Sequence, residues 1–361
     1  MKNRLIVSNT FYQLIFAIQL RNTVFQNDRV VVFLSDHSIN SFSIYKKLDE
    51  YNVFNECYYV ETKKLQYSSS WLEKFKDCLD VSFDKEGRYD ELLFGISDKY
   101  FDEILCFNYL NFEIDGIYSS LSKFNTDVKV SLYEEGLISY NQKLRKGIRR
   151  KLVNSIRKTL RKPCFEDKME SFYCFYPELY KGPAKPIQVP RIQHNSKVLQ
   201  IIKHVFNPQT DGYRQKYIFF TSVYDFEGGE PIGEFELVSR VAELVGKDNL
   251  LVKMHPRDTR DLYKQNGFSV DVNSSIPWEA IQLVGNFEDK VFMTVNSGSV
   301  LAGSLMSDRP VKTYFMYKLC NVNHNEACQT TIKEIEGLLA DDSMKEIMKN
   351  VHIAECIKDI L

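Results

Sequence analysis

The chain has 361 residues, 44% hydrophobic and 13% aromatic, with 25 Phe and 21 Tyr to fill interiors; this excludes a disordered polypeptide and allows two domains of ordinary size. Lysine and arginine (47) cancel aspartate and glutamate (48) to a net charge of -1, so no global field draws the protein to nucleic acid.

Taken from the N-terminus, MKNRLIVSNTFYQL holds one apolar run, 5–7, too short for a signal-peptide core. Hydrophobic periodicity predicts a strand over 4–8, a helix over 11–20, and further strands over 29–34, 103–107 and 128–133. Short apolar runs separated by longer amphipathic segments imply a parallel sheet covered by helices. Residues 143–162, KLRKGIRRKLVNSIRKTLRK, contain no acid, and Leu144, Ile148, Leu152, Ile156 and Leu160 recur every four residues. Such a cationic helix either lies on an anionic membrane surface or packs its apolar stripe on the first domain with a solvated basic face. Nucleic acid is a poor partner, since no aromatics interleave with the charges.

Pro177, Pro183, Pro186 and Pro190 punctuate 177–196 and predict an extended interdomain linker. Beyond it strands are expected over 216–220, 250–254, 291–294 and 311–315, with helices over 233–245, 277–284, 299–306 and from 331 onward. The fold expectation is α/β: two doubly wound Rossmann-like domains with a cleft between them, residues 1–185 (including 143–162) on the acceptor side and residues 186–361 binding a nucleotide. The eight cysteines form no CxxC pair and no Cys/His cluster at zinc spacing. They read as small buried hydrophobes in a reducing compartment, without a structural metal. No stretch reaches membrane-span length, and a cytoplasmic protein is expected.

In open parallel sheets ligands bind beyond the carboxyl ends of the strands. Five loops there are suggestive: SNTFYQ (8–13), YEEG (133–136), TSVYD (221–225), HPRD (255–258) and NSGS (296–299). Glu134 and Glu135 are either solvated acids at a turn or include a base for an attacking hydroxyl. His255, with Pro256 fixing the backbone and Arg257 adding charge, suits a phosphate, or is an ordinary loop histidine. Asn296, Ser297, Gly298 and Ser299 open a helix, where amides and hydroxyls attract an anion or simply cap. Glu279, in the first turn of 277–284, either accepts ribose hydroxyls or complements the helix dipole, and Trp278 reads as core.

Together these residues resemble the bacterial sialyltransferases of the GT-B fold, especially glycosyltransferase family 52, whose members include lipooligosaccharide sialyltransferases. The resemblance rests on Tyr133-Glu134-Glu135-Gly136, on Lys253-Met254-His255-Pro256, on Asn296-Ser297-Gly298-Ser299, and on the opening loop Ser8 to Gln13, where Phe11 replaces the family's proline. It implies inverting transfer from CMP-sialic acid to a terminal galactose, commonly α-2,3, with no metal or other cofactor. It also implies Glu135 as general base with Glu134 as fallback, His255 on the donor phosphate, Ser297 and Ser299 on its oxygens, and Glu279 on the ribose. Asn9, Thr10, Gln13, Thr221 and Ser222 join the substrate-facing set, and further sialic acid contacts are sought at 108–111 and 221–224. The absence of an Asp-x-Asp triplet agrees with metal-free chemistry.

The membrane reading of 143–162 makes a lipid-linked capsule or lipooligosaccharide acceptor natural and the location peripheral on the inner face of the cell membrane. A homodimer is left open. The competing readings are a GT-B transferase of another CMP-activated or nucleotide diphosphate sugar, and a non-catalytic membrane-attached assembly protein.

Overall fold

The computed structural model describes residues 1–38, 40–62, 70–83, 88–93, 95–107, 112–141, 148–227, 230–271 and 276–361. The chain divides into two compact units, Met1–Pro190 and Arg191–Leu361.

The first unit runs β1 (Asn3–Ser8), α1 (Phe11–Asn22), β2 (Arg29–Ser35), α2 (Ser41–Glu50), β3 (Glu56–Val60), α3 (Trp71–Phe83), α4 (Arg88–Leu92), β4 (Glu103–Cys106), α5 (Phe112–Leu121), β5 (Lys129–Tyr133), α6 (Ile148–Thr159), β6 (Met169–Cys174) and β7 (Lys185–Gln188). Its strands form one sheet in the order β3-β2-β1-β4-β5-β6-β7, every neighbouring pair parallel. Residues Leu5 to Val7 and Val30 to Leu34 are buried consecutively rather than alternately, as expected of strands covered on both faces. Helix α1 buries every position from Gln13 to Leu20, so it is a core helix and not an amphipathic one.

The second unit runs α7 (Lys197–Phe206), β8 (Tyr217–Phe220), α8 (Glu234–Val245), β9 (Leu250–Lys253), α9 (Leu262–Gln265), β10 (Ser269–Val270), α10 (Trp278–Val284), β11 (Val291–Thr294), α11 (Ala302–Met306), β12 (Lys312–Phe315), α12 (Glu326–Leu339) and β13 (Val351–Ile353). Its sheet is parallel, in the order β10-β9-β8-β11-β12-β13. Two Rossmann-like units in series give the GT-B pattern. Trp278 belongs to the core, edge-on to Phe220 at 4.7 Å and to Phe292 at 5.5 Å.

Strand order reverses between β1 and β4 in the first sheet and between β8 and β11 in the second, and a crevice opens beside such a point at the carboxyl ends of the strands. Phe220 pairs with both Lys253 and Thr294, so the loops leaving β8, β9 and β11 start level with one another. Leu105 likewise pairs with both Ile6 and Ser131, which levels the loops after β1 and β5.

Three expectations are corrected. The proline-punctuated stretch is not simply a linker: Lys185–Gln188 pairs with β6, and Pro186 is tolerated because an edge strand has one unpaired side. The first compact unit runs on to Pro190. The basic helix spans Ile148–Thr159, with 142–147 outside the described residues, and it buries its apolar stripe only in part: Leu152 packs on Cys78, Val81 and Val153 and Ile156 is half-buried, while Ile148 and Leu160 are exposed. Its buried side is Arg150, Val153, Asn154 and Arg157, because Arg150 pairs with Asp115 and Glu166 and Asn154 donates to Glu166. The helix expected over 299–306 opens as a 3-10 turn, Gly298–Leu301, before α11. No helix among the described residues is long and apolar enough to cross a membrane.

Candidate active site

The chain leaves β5 through two carboxylates with opposite surroundings, and Gly136, at φ +80°, turns it out of the sheet in a conformation that favours glycine. Glu134 is fully buried. Its Oε1 accepts from the Tyr12 hydroxyl at 2.6 Å, and its Oε2 accepts from the Phe175 amide at 2.9 Å and from the Tyr140 hydroxyl. Burial pushes this carboxyl up to about 7, against the downward pull of those three donors. With both oxygens engaged and no solvent face, Glu134 clamps α1, β5 and the end of β6 together.

Glu135 is half-buried and holds one bond. Its Oε1 accepts from Gln13 Nε2 at 2.6 Å, while Oε2 carries no hydrogen bond among the described residues. Burial raises its carboxyl above the usual range, and the Gln13 bond lowers it. A carboxylate oriented through one oxygen and open through the other is the geometry a general base needs.

The β1–α1 loop supplies that orientation. Thr10 is the N-cap of α1, accepting from the Gln13 amide at 3.3 Å, and Gln13 Oε1 accepts from the Asn9 and Thr10 amides at 2.6 and 3.2 Å. Phe11 occupies the first helical position, where proline is favoured but not required, so the replacement leaves the cap intact. Gln13 is fully buried and Asn9 nearly so. Of the three residues expected to face substrate, Thr10 is half-buried and Gln13 buried, their side chains engaged in the cap and on Glu135, and Asn9 is buried.

In the second unit, the His255 amide donates to Thr221 Oγ1 at 2.9 Å, and His255 Nδ1 accepts from the Arg257 amide at 3.2 Å. An Nδ1 that accepts assigns the ring proton to Nε2, so the neutral imidazole offers an N–H donor. Burial, then the neighbouring Arg257 guanidinium, holds its pKa below the usual value. Pro256 and Arg257 are exposed, and Arg257 pairs with Glu227 at 2.5 Å. Thr221 and Ser222 are buried, and the Ser222 amide donates to both oxygens of Glu234 at 3.0 and 2.9 Å. The Thr221 hydroxyl and the Ser222 amide thus brace the loop that carries His255.

After β11, the Ser297 amide donates to Thr294 Oγ1 at 2.9 Å, and the Ser297 and Ser299 hydroxyls meet at 2.8 Å. Both are half-buried, and nothing lies within 4 Å of where a Cβ on Gly298 would stand, so the hydroxyl pair is open to approach. Asn296 is buried, and its Nδ2 donates to the Tyr224 hydroxyl at 3.2 Å and to the Cys328 carbonyl at 3.3 Å, which anchors α12. Glu279 sits half-buried in the first turn of α10, its carboxyl raised by burial and lowered by the Lys253 ammonium. Lys253 is itself buried and paired with Asp271 at 2.8 Å.

Residues 108–111, considered as sialic acid contacts, lie outside the described residues. Tyr12, Tyr140, Glu234 and Asp271 were missed by sequence reasoning. Tyr12 lies within the opening loop but was given no role, while Tyr140, Glu234 and Asp271 stand in no motif, and packing brings the four to Glu134, Ser222 and Lys253.

A sequence profile described as "Alpha-2,8-polysialyltransferase (POLYST)" matches residues 4–314. No curated protein matches. Among solved structures, the chain is similar to the α/β-galactoside α-2,3-sialyltransferase of Photobacterium phosphoreum, with 11% identity over 99% of each chain and a TM-score of 0.46. It is also similar to the glycotransferase of kitacinnamycin, with 12% identity, 99% of this chain, 86% of that one and a TM-score of 0.48. A third likeness is S. aureus MnaA in its UDP co-structure, with 12% identity, 97% of this chain, 91% of that one and a TM-score of 0.46.

Proposed function

We propose that this chain, which belongs to the alpha-2,8-polysialyltransferase family, transfers sialic acid from CMP-sialic acid to a hydroxyl of a bacterial surface glycan with inversion at the anomeric carbon. Membership makes it a sialyltransferase with a sugar-nucleotide donor and a glycan acceptor, and displaces the non-catalytic reading. The single observation that supports the base assignment is the contrast at 134 and 135: one carboxylate is saturated and enclosed, its neighbour is held by Gln13 with an oxygen to spare.

In this reading the acceptor oxygen forms a bond to the anomeric carbon as the bond from that carbon to the phosphate oxygen breaks. The hydroxyl proton passes to Glu135 Oε2, and the bonding pair leaves with CMP. His255 Nε2–H and the Ser297 and Ser299 hydroxyls stabilise the charge that grows on the phosphate, which gains in the transition state what a neutral donor set supplies. Glu279 takes the ribose hydroxyls. The reaction is read as metal-independent and cytoplasmic, at the inner face of the membrane.

The family's description favours attack by O8 of a terminal sialic acid on the acceptor, and a galactoside receiving an α-2,3 bond is the second reading. Purified protein is incubated with CMP-sialic acid and either a sialylated or a galactose-terminated oligosaccharide, in EDTA, and the product linkage is read by NMR. CMP release that collapses in Glu135→Gln supports the proposal, and the productive acceptor decides the linkage. Turnover only with CMP-Kdo or a nucleotide diphosphate sugar, or only with added metal, defeats it.

A further inference from the structure

Thirteen large hydrophobic side chains are exposed among the described residues, and six of them, Trp71, Leu72, Phe75, Phe83, Ile148 and Leu160, lie on α3, on α6 or directly after α6. Single exposed apolar residues are ordinary, but a concentration on two adjacent helices is not. The two helices run side by side with the same polarity. Val153 packs with Cys78 and Val81, Arg157 donates to the Val81 carbonyl at 2.9 Å, and Lys162 donates to the Phe83 carbonyl at 3.0 Å.

The orientation of α6 inverts the usual rule. Arg150 and Arg157 point inward, while Ile148 is 89% exposed and Leu152 and Ile156 are only half covered. On α3, Leu72, Phe75 and Phe83 keep helical spacing on the outward side, and Trp71, 72% exposed, stacks on Phe75 at 5.6 Å. Lys74, Lys76, Lys151 and Lys158 are exposed on the same helices, against Glu73, exposed, and Asp80, half-exposed. Exposed Trp, Phe, Leu and Ile beside lysines whose long stems let the charge reach outward is the composition of a helix lying in a membrane interface.

We propose that α3 and α6 together seat the first unit on an anionic lipid bilayer, with Trp71, Leu72, Phe75 and Ile148 entering the interfacial layer and the lysines meeting lipid phosphates. This adds α3 to the segment expected from sequence, and it does not rest on sialyl transfer. Charge complementarity selects the bilayer over a second copy, since two such lysine-rimmed faces would repel.

The test uses the full chain and vesicles of phosphatidylglycerol with phosphatidylcholine, or of phosphatidylcholine alone. The chain has two tryptophans, and Trp278 is buried, so emission from Trp71 reports insertion directly. Wild type is expected to sediment with the anionic vesicles and to be quenched by brominated lipid. Lys151→Gln/Lys158→Gln should weaken partitioning by about fivefold per charge at low salt, and Trp71→Ser/Leu72→Ser by at least about tenfold, with unchanged melting temperature and CMP release. Equal recovery of wild type and both variants overturns the proposal. So does a Trp71→Ser/Leu72→Ser variant that turns a dimer into a monomer without altering vesicle recovery, which would make a second copy the occupant.

Discussion

Gln13 Nε2 donates to Glu135 Oε1 at 2.6 Å, joining the first turn of α1 to the loop after β5 across 122 positions of sequence. The same glutamine closes the capping box of α1, so the start of that helix and the aim of the carboxylate are set by one side chain. Its loss should move the carboxylate without removing it. Gln13→Met is expected to lower kcat by about 10- to 100-fold with little change in donor KM, since a misplaced group costs on this scale. The bond lowers the Glu135 pKa, so the acid limb of the pH–rate profile should also shift upward in the variant. An unshifted profile would leave Gln13 as a helix cap alone.

The two acids should separate by what they break. Glu135→Gln is expected to cost about 10²- to 10⁴-fold in kcat with the melting temperature retained. Glu134→Gln removes a saturated, buried acceptor and should cost about 1–3 kcal/mol of stability, with turnover scaling as the folded fraction. Denaturant titration and CMP release on the same preparations decide between them, and the opposite pattern would transfer the base to Glu134.

Ser297 and Ser299 touch each other at 2.8 Å and should act as one donor. Each alanine variant is expected to raise donor KM or lower kcat by about tenfold, and the double variant should lose much less than the product of the two, as coupled neighbours do. Full additivity in the kinetic cycle would place the two hydroxyls on separate ligands.

Stability should fall as pH rises. Burial raises Glu134 to about 7 and Glu234 to about 8, above the ordinary glutamate value of 4.5 that holds in the unfolded chain. Between those limits the folded state keeps protons that the unfolded state has released, so the contribution is complete below the unfolded value and is lost as pH climbs through 7 and 8. Thermal denaturation at pH 5.5 and pH 8.5 should differ by up to about 5 kcal/mol in favour of the acid condition, less the opposing contribution of His255 and His352, whose lowered pKa favours the alkaline side. Glu134→Gln/Glu234→Gln should flatten that slope even where it lowers stability overall.

Much of the fold was legible because strands buried on both faces write themselves as short apolar runs. The runs at 4–8, 29–34 and 291–294 fall on β1, β2 and β11 to within a residue. Strands β3 and β6 were missed although Cys57 to Val60 and Phe172 to Tyr176 are such runs, and strands that lack one were missed too. β7 carries Pro186 and pairs on one side at the sheet edge, and β10 is two half-buried residues, Ser269–Val270. The stripe of α6 was visible but its direction was not, because the helix is held by Arg150 and Arg157 through partners far away in sequence.

By itself the sequence determined that two parallel sheets form and that their carboxyl ends carry acids, an imidazole and hydroxyls, since periodicity and strand-end position are local properties. Which of the adjacent glutamates is sealed and which stays open was decided only in three dimensions. Neighbours at the end of a strand point to opposite sides, and the side that α1, Tyr140 and Phe175 close over is chosen by packing between distant segments. The hydrogen bond that assigns the His255 tautomer is by contrast local, made by the turn that brings the Arg257 amide onto Nδ1.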